Sequence, residues 1–177
     1  MASVSRSRRS AAGIAFIVAG ALYLLSIVLP LLSISLPWLT SLANAAMAVG
    51  FVILALGAVN ATVTKIALIV AAVGFAILAL TGLGIALPAA LVTIGVVLAA
   101  FGFLVGAIVL YTGKEVSNTA AILFIVAAVL AVLWLLGLIA VLPLAGPLGV
   151  VIIAALGIAL IAAGVYFRRT EAGGRRR

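Results

Sequence analysis

The sequence predicts an all-α bundle of six membrane-spanning helices with both termini in the cytoplasm. Hydrophobic residues make up 69% of its 177 residues and charged residues only 7%, at a mean hydropathy of +1.62. That leaves too little polar side chain to cover a soluble domain of this length. Six apolar runs are long enough to cross a bilayer core of about 30 Å, which takes roughly 17–25 helical residues. Charge falls only at the two ends of the chain and at the second and fourth breaks between runs. The positive-inside rule turns this spacing into a topology, with every charged residue on one side.

The first nine residues form a basic cytoplasmic segment, 1–9, in which Arg6, Arg8 and Arg9 precede the first run, Ala12–Leu29. Arg6 to Arg9 imitate the basic start of a signal peptide, and Ala43-Asn44-Ala45 imitates a cleavage site. The apolar stretch between them is about twice the 7–15 residues of a signal core, so the segment is expected to be retained. Pro30 to Pro37 then make an uncharged outer turn, and Trp38–Val59 is the second run. Lys65 marks the second break, back in the cytoplasm. Ile66–Leu87 and Ala89–Tyr111 are the third and fourth runs, joined by a Gly- and Pro-punctuated turn over Gly82 to Pro88. Lys114 and Glu115 mark the fourth break. Ala120–Leu142 and Pro147–Phe167 complete the domain, which spans 10–167, and 168–177 is a basic cytoplasmic tail. Trp38 and Tyr23 are expected near the outer interface, and Tyr111 and Tyr166 near the inner one.

The chain also repeats itself. Phe16-Ile17-Val18-Ala19 matches Leu68-Ile69-Val70-Ala71 and Phe124-Ile125-Val126-Ala127. Later in each unit, Ala48-Val49-Gly50-Phe51 matches Ala100-Phe101-Gly102-Phe103 and Ala155-Leu156-Gly157-Ile158. A shift of 52 residues aligns the first two units, and a shift of 55 places Pro88 on Pro143, Gly102 on Gly157 and Tyr111 on Tyr166. The expected unit is a helical hairpin, three times over, near 10–64, 65–117 and 118–167. Hairpins that all enter from one side are parallel repeats, so a pseudo-three-fold six-helix bundle is the simplest arrangement.

Lipid tails are as apolar as Leu, so the helices must associate by close packing, for which small residues are suited. The second helices of the units carry Gly50 and Gly57, then Gly95, Gly102 and Gly106, then Gly157 and Gly164. Spacing of seven places members of each set on one helical face. Packing inside the chain is the expected use, with a homo-oligomer interface as the alternative.

Composition removes several classes of mechanism. The chain has no Cys, no His and no Asp. Thiol chemistry, imidazole relays and the usual activation of a serine nucleophile are therefore excluded, and no metal site can be assembled. No catalytic residue, cofactor-binding residue or metal ligand is expected. No ionisable residue falls within the proposed spans, which argues against proton- or sodium-coupled transport, voltage sensing and a retinal-type Schiff base. Asn44, Thr93, Asn60, Thr62 and Thr64 are expected to hydrogen-bond between helices.

Net charge is +8. No nucleic-acid partner is needed to explain it, because the basic residues flank apolar spans. Arg6, Arg8, Arg9, Arg168, Arg169, Arg175, Arg176 and Arg177 are expected to meet anionic membrane lipids, each contributing about 1 kcal/mol near such a surface. The strong excess of Arg over Lys and the abundance of Ala suggest a GC-rich genome, hence a bacterial or archaeal plasma membrane.

Three tandem two-helix units, each with a Gly-rich apolar helix and a Pro near the outer turn, resemble the HdeD-type acid-resistance membrane proteins. The resemblance covers roughly 12–167, with Pro88, Pro143, Gly50, Gly102 and Gly157 as the matching positions. Pro30 and Pro37 do not align cleanly with the other turns, and the cytoplasmic loops lack the polar and aromatic residues common in that family. The resemblance implies a bacterial inner-membrane protein linked to acid or envelope stress, with no catalytic residues. From the residues themselves, two functions stand. One is a non-catalytic membrane protein working through assembly, bilayer or partner contacts. The other is a passive channel or carrier for a small neutral or apolar solute along the bundle axis.

Overall fold

The computed structural model describes residues 6–57, 62–114, 116–139 and 146–169. They form six helices: α1 (Arg6–Leu31), α2 (Leu39–Gly57), α3 (Thr62–Gly82), α4 (Ala89–Thr112), α5 (Asn118–Leu138) and α6 (Pro147–Arg169). At 1.5 Å per residue these are about 28 to 39 Å long, enough to cross a bilayer. All six are apolar enough to do so.

Several boundaries differ from the expected spans, each for a local reason. The first helix begins at Arg6, because Ser7 to Ala11 hold no helix breaker and Arg8 is anchored on α2. It ends one residue past Pro30, which has no N–H for the Ser26 carbonyl and whose ring crowds that carbonyl, so the helix does not continue. The third helix stops at Gly82, five residues short of Leu87, and begins at Thr62, inside the expected first unit. Its stop is a left-handed cap: Gly84 has φ +86°, its N–H reaches the Thr81 carbonyl at 3.2 Å, and Ile85 N–H reaches Leu80 at 3.3 Å. Such caps satisfy carbonyls that the helix end would otherwise leave bare. The fifth helix ends at Leu138 rather than Leu142.

The first outer turn is built in the same way. Ser33 takes φ +63° and donates to Pro30, and Ile34 donates to Leu29 at 2.9 Å. The two caps and the following prolines, Pro37 and Pro88, lie 51 residues apart. Pro37 therefore does have a counterpart, one residue out of step with the shift that aligns the helices. The corresponding segment with Pro143 lies outside the described residues. On the opposite side, Ser117 caps α5 by accepting from the Ala120 N–H at 3.3 Å, a favoured N-cap arrangement.

The helices pack in chain order, each chiefly against its two sequence neighbours, and α6 against α1 closes the ring. Neighbours are antiparallel, so the starts of α1, α3 and α5 share one end with the finishes of α2, α4 and α6. Lys65, Lys114, Arg6, Arg8, Arg9, Arg168 and Arg169 all fall at that end, called the charged end below. Among the described residues none with a charge lies at the other. Inside the ring is a single apolar core.

Candidate functional site

A conduit through such a ring would have to use its axis. Phenylalanine side chains cluster along that axis. Phe16, Phe51, Phe75, Phe103, Phe124 and Phe167, one from each helix, are all buried. Phe16 lies 5.0 Å from Phe124 and 5.5 Å from Phe51, ring centre to ring centre. Phe103 lies 4.9 Å from both Phe51 and Phe124, while Phe75 stacks on Phe51 at 5.6 Å and Phe167 meets Phe124 edge-on at 5.5 Å. Most of these pairs are edge-to-face or tilted, the arrangements that place a ring's positive edge on its neighbour's negative face, worth about 0.5–1.5 kcal/mol each. The seventh phenylalanine, Phe101, faces outward and is 68% exposed.

The core holds few polar groups, most of them farther from the charged end. Tyr23 is fully buried and packs edge-on against Trp134 at 5.5 Å. Its hydroxyl donates to the Asn44 Oδ1 at 2.6 Å, linking α1 to α2. Tyr23 lies in the half of α1 away from the charged end, but its ring points into the bundle rather than to an interface, and Asn44 supplies the partner that its hydroxyl needs there. Trp38, Tyr111 and Tyr166 are exposed near helix ends. Ser41 is buried against Gly82 of α3, and Thr64 is buried at the start of α3. Thr93 instead turns back on its own helix, bonding the Ala89 carbonyl at 3.1 Å. Asn60 lies outside the described residues.

The predicted packing glycines are buried, but they do not form one common interface. A Cβ on Gly102 would lie 2.4 Å from the Ala71 nitrogen, and one on Gly106 would meet Leu68, so this face of α4 is pressed on α3. Gly95 faces Ile77 on the same helix. Gly157 and Gly164 face α1, where Cβ atoms would come within 2.9 and 2.5 Å of the Gly20 and Gly13 carbonyl oxygens. Gly50 is covered by the Phe16 ring, and Gly57 is buried at the end of α2. Gly13, Gly20 and Gly74, on the first helices of their hairpins, complete these seams. Residue spacing pointed to the second helices only and missed them, although Gly13 and Gly20 carry the same seven-residue signal.

At the charged end, the Arg8 guanidinium donates to the Leu56 carbonyl in the last turn of α2. A cation there also complements the negative end of the helix dipole. Arg9 and Lys65 are half-buried, and Lys114 and Arg168 are exposed. Arg6 and Arg169 lie in the terminal turns of α1 and α6. Arg175, Arg176 and Arg177 lie outside the described residues.

This defines a multi-pass membrane protein: a closed ring of six apolar helices with phenylalanines clustered along its axis and its described charges at one end. No protein-family model matches the chain, and no curated protein or solved structure is similar to it.

Proposed function

We propose that the chain is a non-catalytic multi-pass protein of a prokaryotic plasma membrane, acting through assembly, bilayer or partner contacts. The observation that carries this reading is the axis. One phenylalanine from every helix converges there, and a conduit needs polar groups recurring along its lining instead. The buried polar side chains among the described residues are the bonded pair Tyr23 and Asn44, Ser41 one turn from Asn44, and Thr64 at the charged end, which do not recur along the axis. Among the described residues, the charged ones all lie at one end of the helices, away from the middle of the spans. A role in envelope or acid stress is the specific form that the HdeD-type resemblance supports.

The absence of native cysteine makes a direct test simple. Single cysteines at the buried positions Met47, Val96 and Leu135 would be challenged with a membrane-impermeant maleimide in intact membranes. Gly50 and Gly102 are poor sites, because any side chain there strikes Phe16 or the α3 backbone. The expected result is no labelling at the three core positions. Labelling of all three would reveal a wet axis, and the solute channel or carrier would replace the present reading.

A further inference from the structure

The outer surface of the ring carries a groove between α2 and α3 of about 350 Å³, within the range of small-molecule sites, about 300–1,000 Å³. Its lining is wholly apolar. Val49 and Val52 form one rim and Ile69 and Val73 the other, all at least two-fifths exposed, with Ala48, Ala72 and Ala76 between them. Alanines flanked by β-branched residues leave a furrow with no polar side chain.

Cations stand at one end of this furrow. Lys65, Ile69, Ala72 and Ala76 follow one another at i, i+4, i+7 and i+11, so they share one face of α3. Lys65 therefore lies on the groove face, about 6 Å nearer the charged end than Ile69. Leu56, 65% exposed, continues the opposite rim from Val49 and Val52. The Arg8 guanidinium is bound to its carbonyl. One cation thus stands at the end of each wall, and a guanidinium with one N–H committed keeps four for an anion.

From this juxtaposition we infer that the α2–α3 groove is a specific site for an anionic phospholipid, its acyl chain between the two helices and its phosphate between Arg8 and Lys65. The inference rests on the membrane reading above and deepens it by naming the lipid class and the site. A second copy of the chain is a poorer occupant. Side by side in the membrane, two copies would bring their charged ends to the same level, each carrying Arg8 and Lys65 unneutralised. A lipid phosphate removes that repulsion.

The test uses the purified full chain in nanodiscs and two photoactivatable lipids with identical acyl chains, phosphatidylglycerol and phosphatidylcholine. Adducts are mapped by mass spectrometry. Phosphatidylglycerol is expected to concentrate its adducts at Val49, Val52, Ile69 and Val73, well above phosphatidylcholine. Lys65→Gln should lower the phosphatidylglycerol yield roughly fivefold and the phosphatidylcholine yield by less, because choline already offsets that lipid's phosphate, whereas Lys114→Gln, in the turn after α4, should alter neither. Ala76→Phe should empty the groove of both lipids. Because that variant adds bulk beside the core, the Lys65 variant, altered at the helix end, decides the matter if it fails to fold. Equal labelling by the two lipids would overturn the proposal, as would adducts spread over Val97, Ile122 and Ile158. So would efficient copy-to-copy disulfides from Val52→Cys or Val73→Cys. A wet axis would leave all these results unchanged, so this proposal and the functional reading fail separately.

Discussion

Two seams of the ring are closed through glycine, and they differ in what else holds them. Between α3 and α4, glycine meets mainly alanine: a Cβ on Gly74 would lie 2.2 Å from the Ala99 nitrogen, and one on Gly102 2.8 Å from the Ala67 oxygen. These helices are also tied by the short turn over residues 83–88. Between α1 and α6, glycine meets glycine. Gly13 faces Gly164 and Gly20 faces Gly157, each carbonyl lying where the other's side chain would be. That reciprocity permits weak Cα–H···O contacts in both directions. No short turn joins α1 to α6, because they stand at opposite ends of the sequence. The tethered seam tolerates a methyl on one side, while the untethered seam has none on either. Where the chain does not enforce proximity, backbone contact has to supply it.

The largest expected effects come from forcing a bulky side chain into each seam. Gly20→Leu and Gly102→Leu should both abolish the compact monomer in detergent, because the obstructing atoms are backbone. They should fail differently. With single cysteines engineered on facing helices, Gly20→Leu is expected to lose α1–α6 disulfides and retain α3–α4 ones. Gly102→Leu should keep α3–α4 disulfides, since the connecting turn holds those helices near each other. Undiminished α1–α6 crosslinking in Gly20→Leu would show that glycine contact is not what closes the ring.

Smaller changes sharpen the same contrast. Gly20→Ala, Gly157→Ala and Gly102→Ala should each cost about 1–3 kcal/mol, the usual range for overpacking. Gly95→Ala should fall in the same range, because the atoms it meets, Ile77 Cγ2 at 2.7 Å and Cβ at 3.0 Å, sit beside the backbone of a β-branched residue. Gly20→Ala and Gly157→Ala act on one contact, so the second methyl should fit partly into the gap opened by the first. Their double variant should fall short of the sum by more than about 0.5 kcal/mol. Gly20→Ala with Gly102→Ala, on different seams, should add. Unfolding in mixed micelles measures all of these, and additivity in both pairs would mean that the α1–α6 helices do not move as a unit.

The membrane class, the six helices and the single charged end were legible because composition, run length and charge placement act locally along the sequence. Rotation of each helix about its axis was not. The repeat aligns Gly50, Gly102 and Gly157, and all three are buried. On α2 and α4 the following residue, Phe51 or Phe103, points into the core; on α6 the following residue, Ile158, is 61% exposed while the preceding Leu156 is 1% exposed. Since one residue turns a helix by about 100°, Gly157 lies on the opposite flank from its counterparts. Gly50 and Gly102 thus face the preceding helix in the ring, and Gly157 faces the one that closes it. Identity at an aligned position cannot reveal that reversal. Nor did the aromatic axis follow the repeat, as Phe16 and Phe124 align with Leu68, and Phe75 and Phe167 fall outside both motifs. Its trace in the sequence was simpler: each of the six apolar runs contains a phenylalanine.

The smallest predicted effect concerns the half of the bundle away from the charges, where α1 and α2 share a hydrogen bond in addition to packing. Tyr23→Phe removes the donor to Asn44 and changes little else, since the ring can keep its place against Trp134. Hydrogen bonds between membrane helices average about 0.6 kcal/mol and reach about 1.7, so the cost should be below that of Gly20→Ala. Asn44→Leu should cost more than Tyr23→Phe, because it leaves a buried hydroxyl unpaired and also alters the packing. Removing both polar groups avoids the unpaired hydroxyl, so the double variant should be more stable than Asn44→Leu alone. If Tyr23→Phe instead proved costlier than Gly20→Ala, polar pairing would outweigh backbone contact as the means by which α1 is held, and the ranking of the two regions would be reversed.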